Sequence, residues 1–208
     1  MARYVGPSCR LCRREGMKLF LKGERCVSNK CAFERRGFPP GMAGQGRPKV
    51  KEYGLQLREK QKVKRVYGVL ERQFRGYFAK ADKAKGVTGE NLLIMLETRL
   101  DTVVTRLGFA TSVPQARQLI RHNHFLINGH KMDIPSYRAR KGDVIEVREA
   151  SRGLASIKSS LDRVTGKEQA GWLALDKEAM KGTVTDLPAR DAVTLAVQEQ
   201  LIVELYSK

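Results

Sequence analysis

Apolar residues recur at three- and four-residue steps through Leu96, Leu100, Val103, Val104 and Leu107, which predicts one amphipathic helix from Glu90 to Leu107. Gly108 stands where a left-handed helix stop is wanted. Ser112 then offers an N-cap, Pro114 suits a first turn, and Gln115 lies three residues on as the capping-box partner. The helix that follows buries Ala116, Leu119 and Ile120 and presents Arg117 and Arg121, spaced i and i+4, on a neighbouring face. Phe125–Ile127 reads as a strand entering a tight turn at Asn128-Gly129. Short strands follow about Lys131–Ile134 and Val144–Arg148, with a turn at Lys141-Gly142-Asp143. Pro135 places the first of these at an edge or end. Residues 153–163 form a short amphipathic helix, and Trp172–Leu175 and Gly182–Val184 are strands closing the sheet. The apolar run Gln198–Tyr206 suits helix and strand equally. We assign it as a helix returning onto the N-terminal helices.

Upstream the pattern is helical from Lys51 to about Lys85. Residues 57–65, LREKQKVKR, have few apolar anchors, and Arg58, Lys62 and Arg65 share a face. An ordinary solvated helix mixes its signs more evenly, so this face is read as turned toward phosphate. After Gly68 a core helix follows, with Val66, Leu70, Phe74, Phe78 and Ala81 on its buried side and Tyr67 and Tyr77 flanking it. Arg72, Arg75 and Lys80 point elsewhere. Aromatic residues at this spacing serve packing more often than base stacking, so Phe74 and Phe78 are assigned to the core. Residues 37–48, GFPPGMAGQGRP, hold four Gly and three Pro and cannot be regular helix or strand. Arg35, Arg36, Arg47, Lys49 and Lys51 lie in or beside this segment, so it suits an arm that orders along RNA. A passive solvated linker is the alternative.

The chain is 208 residues long and 41% hydrophobic, enough for one or two modules with modest cores. Its charge is the unusual property. A formal net of +18 and a pI near 10.1 favour a polyanionic partner. Residues 1–85 carry 23 Lys/Arg against 7 Asp/Glu, residues 86–150 carry 9 against 7, and residues 151–208 carry 8 against 8. Nearly all of the excess is therefore N-terminal. A membrane-surface role is disfavoured, because the basic segments lack an opposing stripe rich in Trp, Phe and Leu. No apolar run approaches the ~20 residues of a membrane span. The N-terminus lacks a signal-peptide core, so the expected location is cytosolic.

Four cysteines, Cys9, Cys12, Cys26 and Cys31, fall in the spacing Cys-x2-Cys-x13-Cys-x4-Cys. Two close pairs separated by a loop can converge four thiolates on one tetrahedral ion, so a structural zinc knuckle is expected. Disulfides suit a secreted chain better, and an iron–sulfur cluster has no electron-transfer context here. With all four ligands supplied by protein, no open position is left for catalysis. Arg10, Arg13, Arg14, Lys18, Lys22, Arg25, Lys30, Arg35 and Arg36 crowd the knuckle, favour the thiolates and are positioned to meet phosphates. Because structural zinc is worth roughly 10–16 kcal/mol in small peptides, chelation is expected to disorder residues 1–45 and weaken RNA binding while the core stays folded.

Three blocks carry a family resemblance: EYGLQLREKQKVKRVYGVLERQFRGYF (52–78), TGENLLIMLETRLDTVVTRLGFA (88–110) and QARQLIRHNHFLINGHKMDIPSY (115–137). Together with the terminal LIVELYSK they closely resemble the bacterial small-subunit ribosomal protein four family, over essentially the whole chain. The stretch from about Thr98 to Val147 resembles the RNA-binding module named after that family. The cysteine knuckle resembles the zinc-bearing branch, other members having lost those cysteines. The turn Phe109-Ala110-Thr111-Ser112-Val113-Pro114 departs from many members, which carry charged residues there.

The resemblance implies a primary ribosomal-RNA binder that engages a multi-helix junction in the 5′ domain early in assembly. It also implies a place beside ribosomal proteins three and five, near the path by which messenger RNA enters, an influence on decoding accuracy, and in some members repression of their own messenger. By position, Arg47, Lys49 and Lys51 match the family's basic arm near the messenger. Arg99, Arg106, Arg117, Arg121, His122 and Lys131 fall in the module's RNA-facing motif.

The expected architecture is α+β. A four-cysteine knuckle and arm occupy residues 1–45. A basic helical domain occupies 46–97, completed by 198–208, and a helix–turn–helix with a small β-sheet forms an inserted RNA-binding module over 98–190. Phosphate neutralisation by Lys and Arg supplies most of the affinity through counterion release, with ~6–10 contacts making binding strongly salt-dependent. Specificity comes from the shape of a folded junction and its single-stranded nucleotides. His122 and His124 are candidate phosphate donors, a neutral packing role being the alternative for each. They lie two residues apart and so make poor partners for a metal. An RNA-modifying enzyme would need a catalytic domain, and the sequence shows no nucleophile–base pair. A helix–turn–helix DNA regulator is the other rival, separable by competition between ribosomal RNA and duplex DNA.

Overall fold

In the computed structural model, residues 3–46, 51–163 and 170–207 are described, and Arg47 and Lys49 lie outside them. The chain divides into two compact units, Met1–Leu92 with Leu195–Lys208, and Leu93–Thr194.

The first unit is helical. Helix α1 (Ser8–Glu15) ends at Gly16, whose φ of 67° supplies the left-handed stop, and a short α2 follows at Ala32–Arg35. One turn of 3-10 helix at Met42–Gln45 is the exception to the expectation that the Gly/Pro segment has no helical structure. Helix α3 (Glu52–Val66) and α4 (Glu71–Lys83) fill the predicted helical stretch. The buried side differs from the expected one. Tyr67, Val69, Phe74, Tyr77 and Ala81 are buried, whereas Leu70, at the N-cap of α4, is exposed.

The C-terminal run is helix α9 (Glu199–Tyr206), packed along α3. Its fixing point is Tyr206, whose ring stacks on Phe78 at 4.3 Å with Lys60 above it at 5.3 Å. The Tyr206 hydroxyl donates to Glu71 Oε1 at 3.1 Å, and burial beside that carboxylate pushes its pKa up. Gln56 is buried and donates to Glu204 of α9 at 3.0 Å.

The predicted single helix is two, α5 (Thr88–Glu97), which begins in the first unit and ends in the second, and α6 (Leu100–Arg106). Arg99 is extended and forms a bridge with Arg138. The carbonyls of Tyr137 and Pro135 accept the Leu100 and Asp101 amides, so tertiary hydrogen bonds replace the helical ones that periodicity suggested. Gly108 has φ 81°, the expected stop. Helix α7 (Val113–Arg121) starts after an extended Ser112, but its capping differs. Gln115 Oε1 accepts from the amide and hydroxyl of Thr111, at 2.9 and 2.7 Å, rather than closing a box on Ser112.

Strands β1 (Phe125–Ile127) and β2 (His130–Lys131) are joined by Asn128 and Gly129, with φ 50° and 80° as a primed hairpin turn requires. The strand expected over Lys131–Ile134 is only this two-residue edge, because the chain turns away to give Pro135 and Tyr137 to α6. With β3 (Val144–Val147), β4 (Leu173–Asp176) and β5 (Lys181–Val184) the antiparallel order is β2-β1-β3-β5-β4. Helix α8 (Ala155–Leu161) joins the same core. A Cβ added at Gly182 would lie 2.5 Å from the buried Leu107, so only glycine admits α6 so close to β5.

Candidate nucleic-acid interface

The basic residues named from sequence separate into three environments. Arg10, Arg14, Arg35, Arg36, Lys51, Arg72, Arg75, Arg121, His122 and Lys131 are exposed, as a phosphate-binding side chain must be. Arg72 and Arg75 lie on the outer side of α4, opposite Phe74 and Tyr77. Arg121 is held loosely by Asp133 at 3.4 Å, both side chains being about half exposed.

A second group is only partly available. Arg13 donates to the Phe38 carbonyl at 3.0 Å and covers the Phe38 ring, which ties α1 to the Gly/Pro segment. Arg106 forms a two-pronged pair with Glu97, at 2.7 and 3.1 Å. On α3 the face assigned to phosphate is internally engaged. Arg58 and Arg65 both donate to Glu15, Arg58 at 3.3 Å, and Lys62 donates to Glu59. Lys60 and Lys64 pair with Glu71, at 2.9 and 3.2 Å, and hold its carboxyl below the ordinary value in spite of burial.

The third group is a correction. Arg99 has no exposed surface, and Arg117 only a trace. Both surround Asp101, itself fully buried. Arg99 reaches its carboxylate at 3.0 and 2.7 Å, Arg117 at 2.7 Å, and the Thr102 amide at 3.0 Å. Two arginines placed on an RNA face by their position in the motif therefore hold α6, α7 and the loop at residue 138 together. Arg117 and Arg121 do not act as a pair, since only Arg121 reaches the surface. The periodic pattern around Arg99 carries a signal that could have shown this, because an arginine amid Leu96, Leu100 and Val103 lies on the apolar stripe.

Other polar groups organise the module, among them Asp143, which the sequence marked only as a turn residue. Asp143 accepts from Asn128 Nδ2, the Tyr137 hydroxyl and the Arg140 amide, at 3.0, 3.1 and 2.8 Å, and so ties the β1–β2 turn to the connection that leads into β3. His124 shares a hydrogen bond of 2.9 Å with Ser151. Burial, with His122 and Arg148 nearby, holds its pKa below the ordinary 6.5. Arg138, Arg140 and Arg148 are exposed on this unit and extend its basic surface beyond the named residues.

The cysteines are free thiols, Cys12, Cys26 and Cys31 buried and Cys9 half-buried. The Lys22 amide donates to Cys26 Sγ at 3.3 Å, and the Leu19 backbone hydrogen-bonds the Cys12 sulfur. Burial pushes the Cys12 thiol up, and so does charge on Cys26, Cys9 and Cys31, so each of those three sulfurs lies within electrostatic reach of Cys12. Among the described residues no group of three or more His, Cys, Asp or Glu side chains is disposed to hold a metal ion. The donor chemistry nonetheless fits a soft divalent cation: four unoxidised sulfurs, mostly buried, with backbone amides directed at two of them. No helix among the described residues is long and apolar enough to cross a membrane.

Residues 3–97 match the family described as the ribosomal protein S4/S9 N-terminal domain, and residues 98–145 match the S4 domain. Over 208 residues, covering 100% of both chains, the sequence is 64% identical to the small ribosomal subunit protein uS4 of Geobacter sulfurreducens. It is 63% identical to that of Citrifermentans bemidjiense and 60% identical to that of Trichlorobacter lovleyi, again over the full length of each.

Proposed function

The chain belongs to the small ribosomal subunit protein uS4 family, a family of structural rather than enzymatic ribosome constituents, and we propose that it is a primary ribosomal-RNA binder that helps nucleate the 5′ domain. The exposure of Arg10, Arg14, Arg35, Arg36, Lys51, Arg72 and Arg75 within one unit is the observation that carries this reading. These cations displace counterions from RNA, and Arg121, His122 and Lys131 of the S4 domain add contacts that depend on RNA shape. Arg47 and Lys49 complete the basic arm proposed to lie near messenger RNA. Contributions to decoding accuracy, repression of its own messenger and a cytoplasmic, ribosome-bound location belong to the same reading.

Proteins three and five of the small subunit are the proposed protein neighbours. A groove between residues 87–89 and α9, lined by Val87, Leu201, Glu199 and Glu204, suits a basic protein segment better than RNA, because its carboxylates repel phosphate. Cys9, Cys12, Cys26 and Cys31 are the proposed ligands of one structural zinc, which would neutralise four crowded thiolates and close the loop between the two cysteine pairs. Metal analysis of the purified chain, with thiol titration before and after a chelator, tests this. About one zinc per chain and thiols that react only after chelation are expected. A metal-free chain with freely reactive thiols would remove zinc from the proposal.

The ribosomal reading is tested by sedimentation and competition. The chain is expected to co-sediment with small subunits through a high-salt wash and to prefer ribosomal RNA over duplex DNA at fixed salt. Preferential binding of duplex DNA would overturn it.

A further inference from the structure

Glu15 is the only carboxylate on α1, and its surroundings are unlike those of any other acid in the first unit. Its side chain is 1% exposed, although it sits in a short, highly basic helix at the end of the chain. Arg58 and Arg65, one helical face of α3, converge on the same oxygen, Oε1, and remain 30% and 18% exposed themselves. Arg14 and Lys62 lie near enough to add their fields. Gly16, immediately beyond, turns the chain back in a left-handed conformation, which fixes where α1 stops and so where Glu15 falls. None of these contacts involves a cysteine.

We propose that Glu15 is a positioning residue for RNA binding: its clamp on Arg58 and Arg65 seats α1 on α3 independently of any metal and orients Arg10 and Arg14 toward RNA. The second half rests on the RNA-binding role proposed for this unit. The clamp orients more than it stabilises. Burial pushes the Glu15 pKa up in spite of four neighbouring cations, and an ion pair withdrawn from water gives back much of its attraction as desolvation. A contact of that kind fixes geometry, and a buried ion pair has one geometry where apolar packing has several. The chelation effect expected from sequence narrows accordingly. Loss of metal should loosen the loop from Leu19 to Cys31, while Ser8–Gly16 stays on α3.

The full-length chain, with and without a chelator, is compared with its Glu15→Gln and Glu15→Lys variants. Chymotryptic cleavage after the exposed Tyr4 and Phe20 reports the seat, and titration with ribosomal RNA reports the function. Wild-type cleavage after Tyr4 should be unchanged by chelator. Cleavage at both sites should rise several-fold in Glu15→Gln and further in Glu15→Lys, while far-UV dichroism stays native. Both variants make the chain more basic, so a purely electrostatic role predicts tighter RNA binding. A positioning role predicts weaker binding in the same variants. Wild-type cleavage rates in both variants would overturn the seat. Raised cleavage with unchanged or tighter RNA binding would leave the seat and overturn its orienting role. Binding that prefers duplex DNA in every form would instead sink the ribosomal reading.

Discussion

The two units use arginine in opposite ways. In the first, the cations outnumber the carboxylates so heavily that most stay exposed even after Glu15, Glu59 and Glu71 have each engaged their partners. In the second, nearly balanced in charge, the arginines of the RNA-binding motif are drawn inward: Arg99 and Arg117 onto Asp101, and Arg106 onto Glu97. A charge count along the chain would treat these arginines alike. The structure shows that what a cation can offer to phosphate depends on whether a carboxylate was placed to intercept it. Exposed positive charge therefore concentrates in the first unit, and the S4 domain carries fewer exposed cations.

The sharpest way to break this contrast is at Asp101. Substituting Asp101→Asn leaves Arg99 and Arg117 buried without the carboxylate that holds both, a change worth about 3–5 kcal/mol. Denaturant unfolding should register that loss. Replacing Arg99, Asp101 and Arg117 together with Met, Leu and Leu should cost much less, since no charge is stranded. Equal losses for the single and triple variants would show that the cluster is an ordinary polar patch. No comparable loss is expected from Arg72→Ala or Arg75→Ala, whose side chains project into solvent.

RNA affinity sharpens the same contrast. Replacing Arg10, Arg14, Arg35 and Arg36 with Ala should lower the slope of log affinity against log salt by up to about one per phosphate contact removed. Replacing Arg117 and Arg121 together should lower it by about one, since only Arg121 is exposed. Slopes measured with a ribosomal-RNA fragment at several salt concentrations decide between the two. A larger drop for the pair than for the quartet would return the leading electrostatic role to the S4 domain.

Much of this was legible in the sequence, for reasons particular residues make plain. Gly108, Asn128 and Gly129 announce their turns because few other residues take a positive φ, and the alternation around β1, β3 and β5 follows from a sheet with one buried face. Leu119 and Ile120 fell on the core side because α7 has only one apolar stripe. The break at Thr98-Arg99 was invisible, since it arises from Pro135 and Tyr137, distant in sequence, offering carbonyls in place of the helical ones. For the candidate site the same limit applies more strongly. Motif position identifies which arginines matter but not which way they face, and that depends on Asp101, Glu97 and Glu15, acids that no periodicity ties to their partners. Tyr77 is the apolar counterpart: it is buried with Phe74 and Ala81, a side of α4 that the spacing of apolar residues along the helix does not mark.

The smallest expected effect lies at His124, where the two roles of the S4 domain surface meet. Burial, His122 and Arg148 keep His124 below its ordinary 6.5, so around that pH the folded chain binds fewer protons than the unfolded one. Stability from this residue is therefore complete above about pH 6.5 and declines as the pH falls through the lowered value. A phosphate contact from bound RNA would reverse the sign, because it favours the imidazolium. Lowering the pH from about 7 to about 5.5 should slightly destabilise the free chain and slightly tighten its RNA complex. A His124→Gln variant, which keeps a hydrogen bond within reach of Ser151, should reduce both trends. If RNA affinity is instead as pH-independent in the wild type as in the variant, His124 is a packing residue. The shape-reading surface is then carried without it, by Arg121, His122 and Lys131.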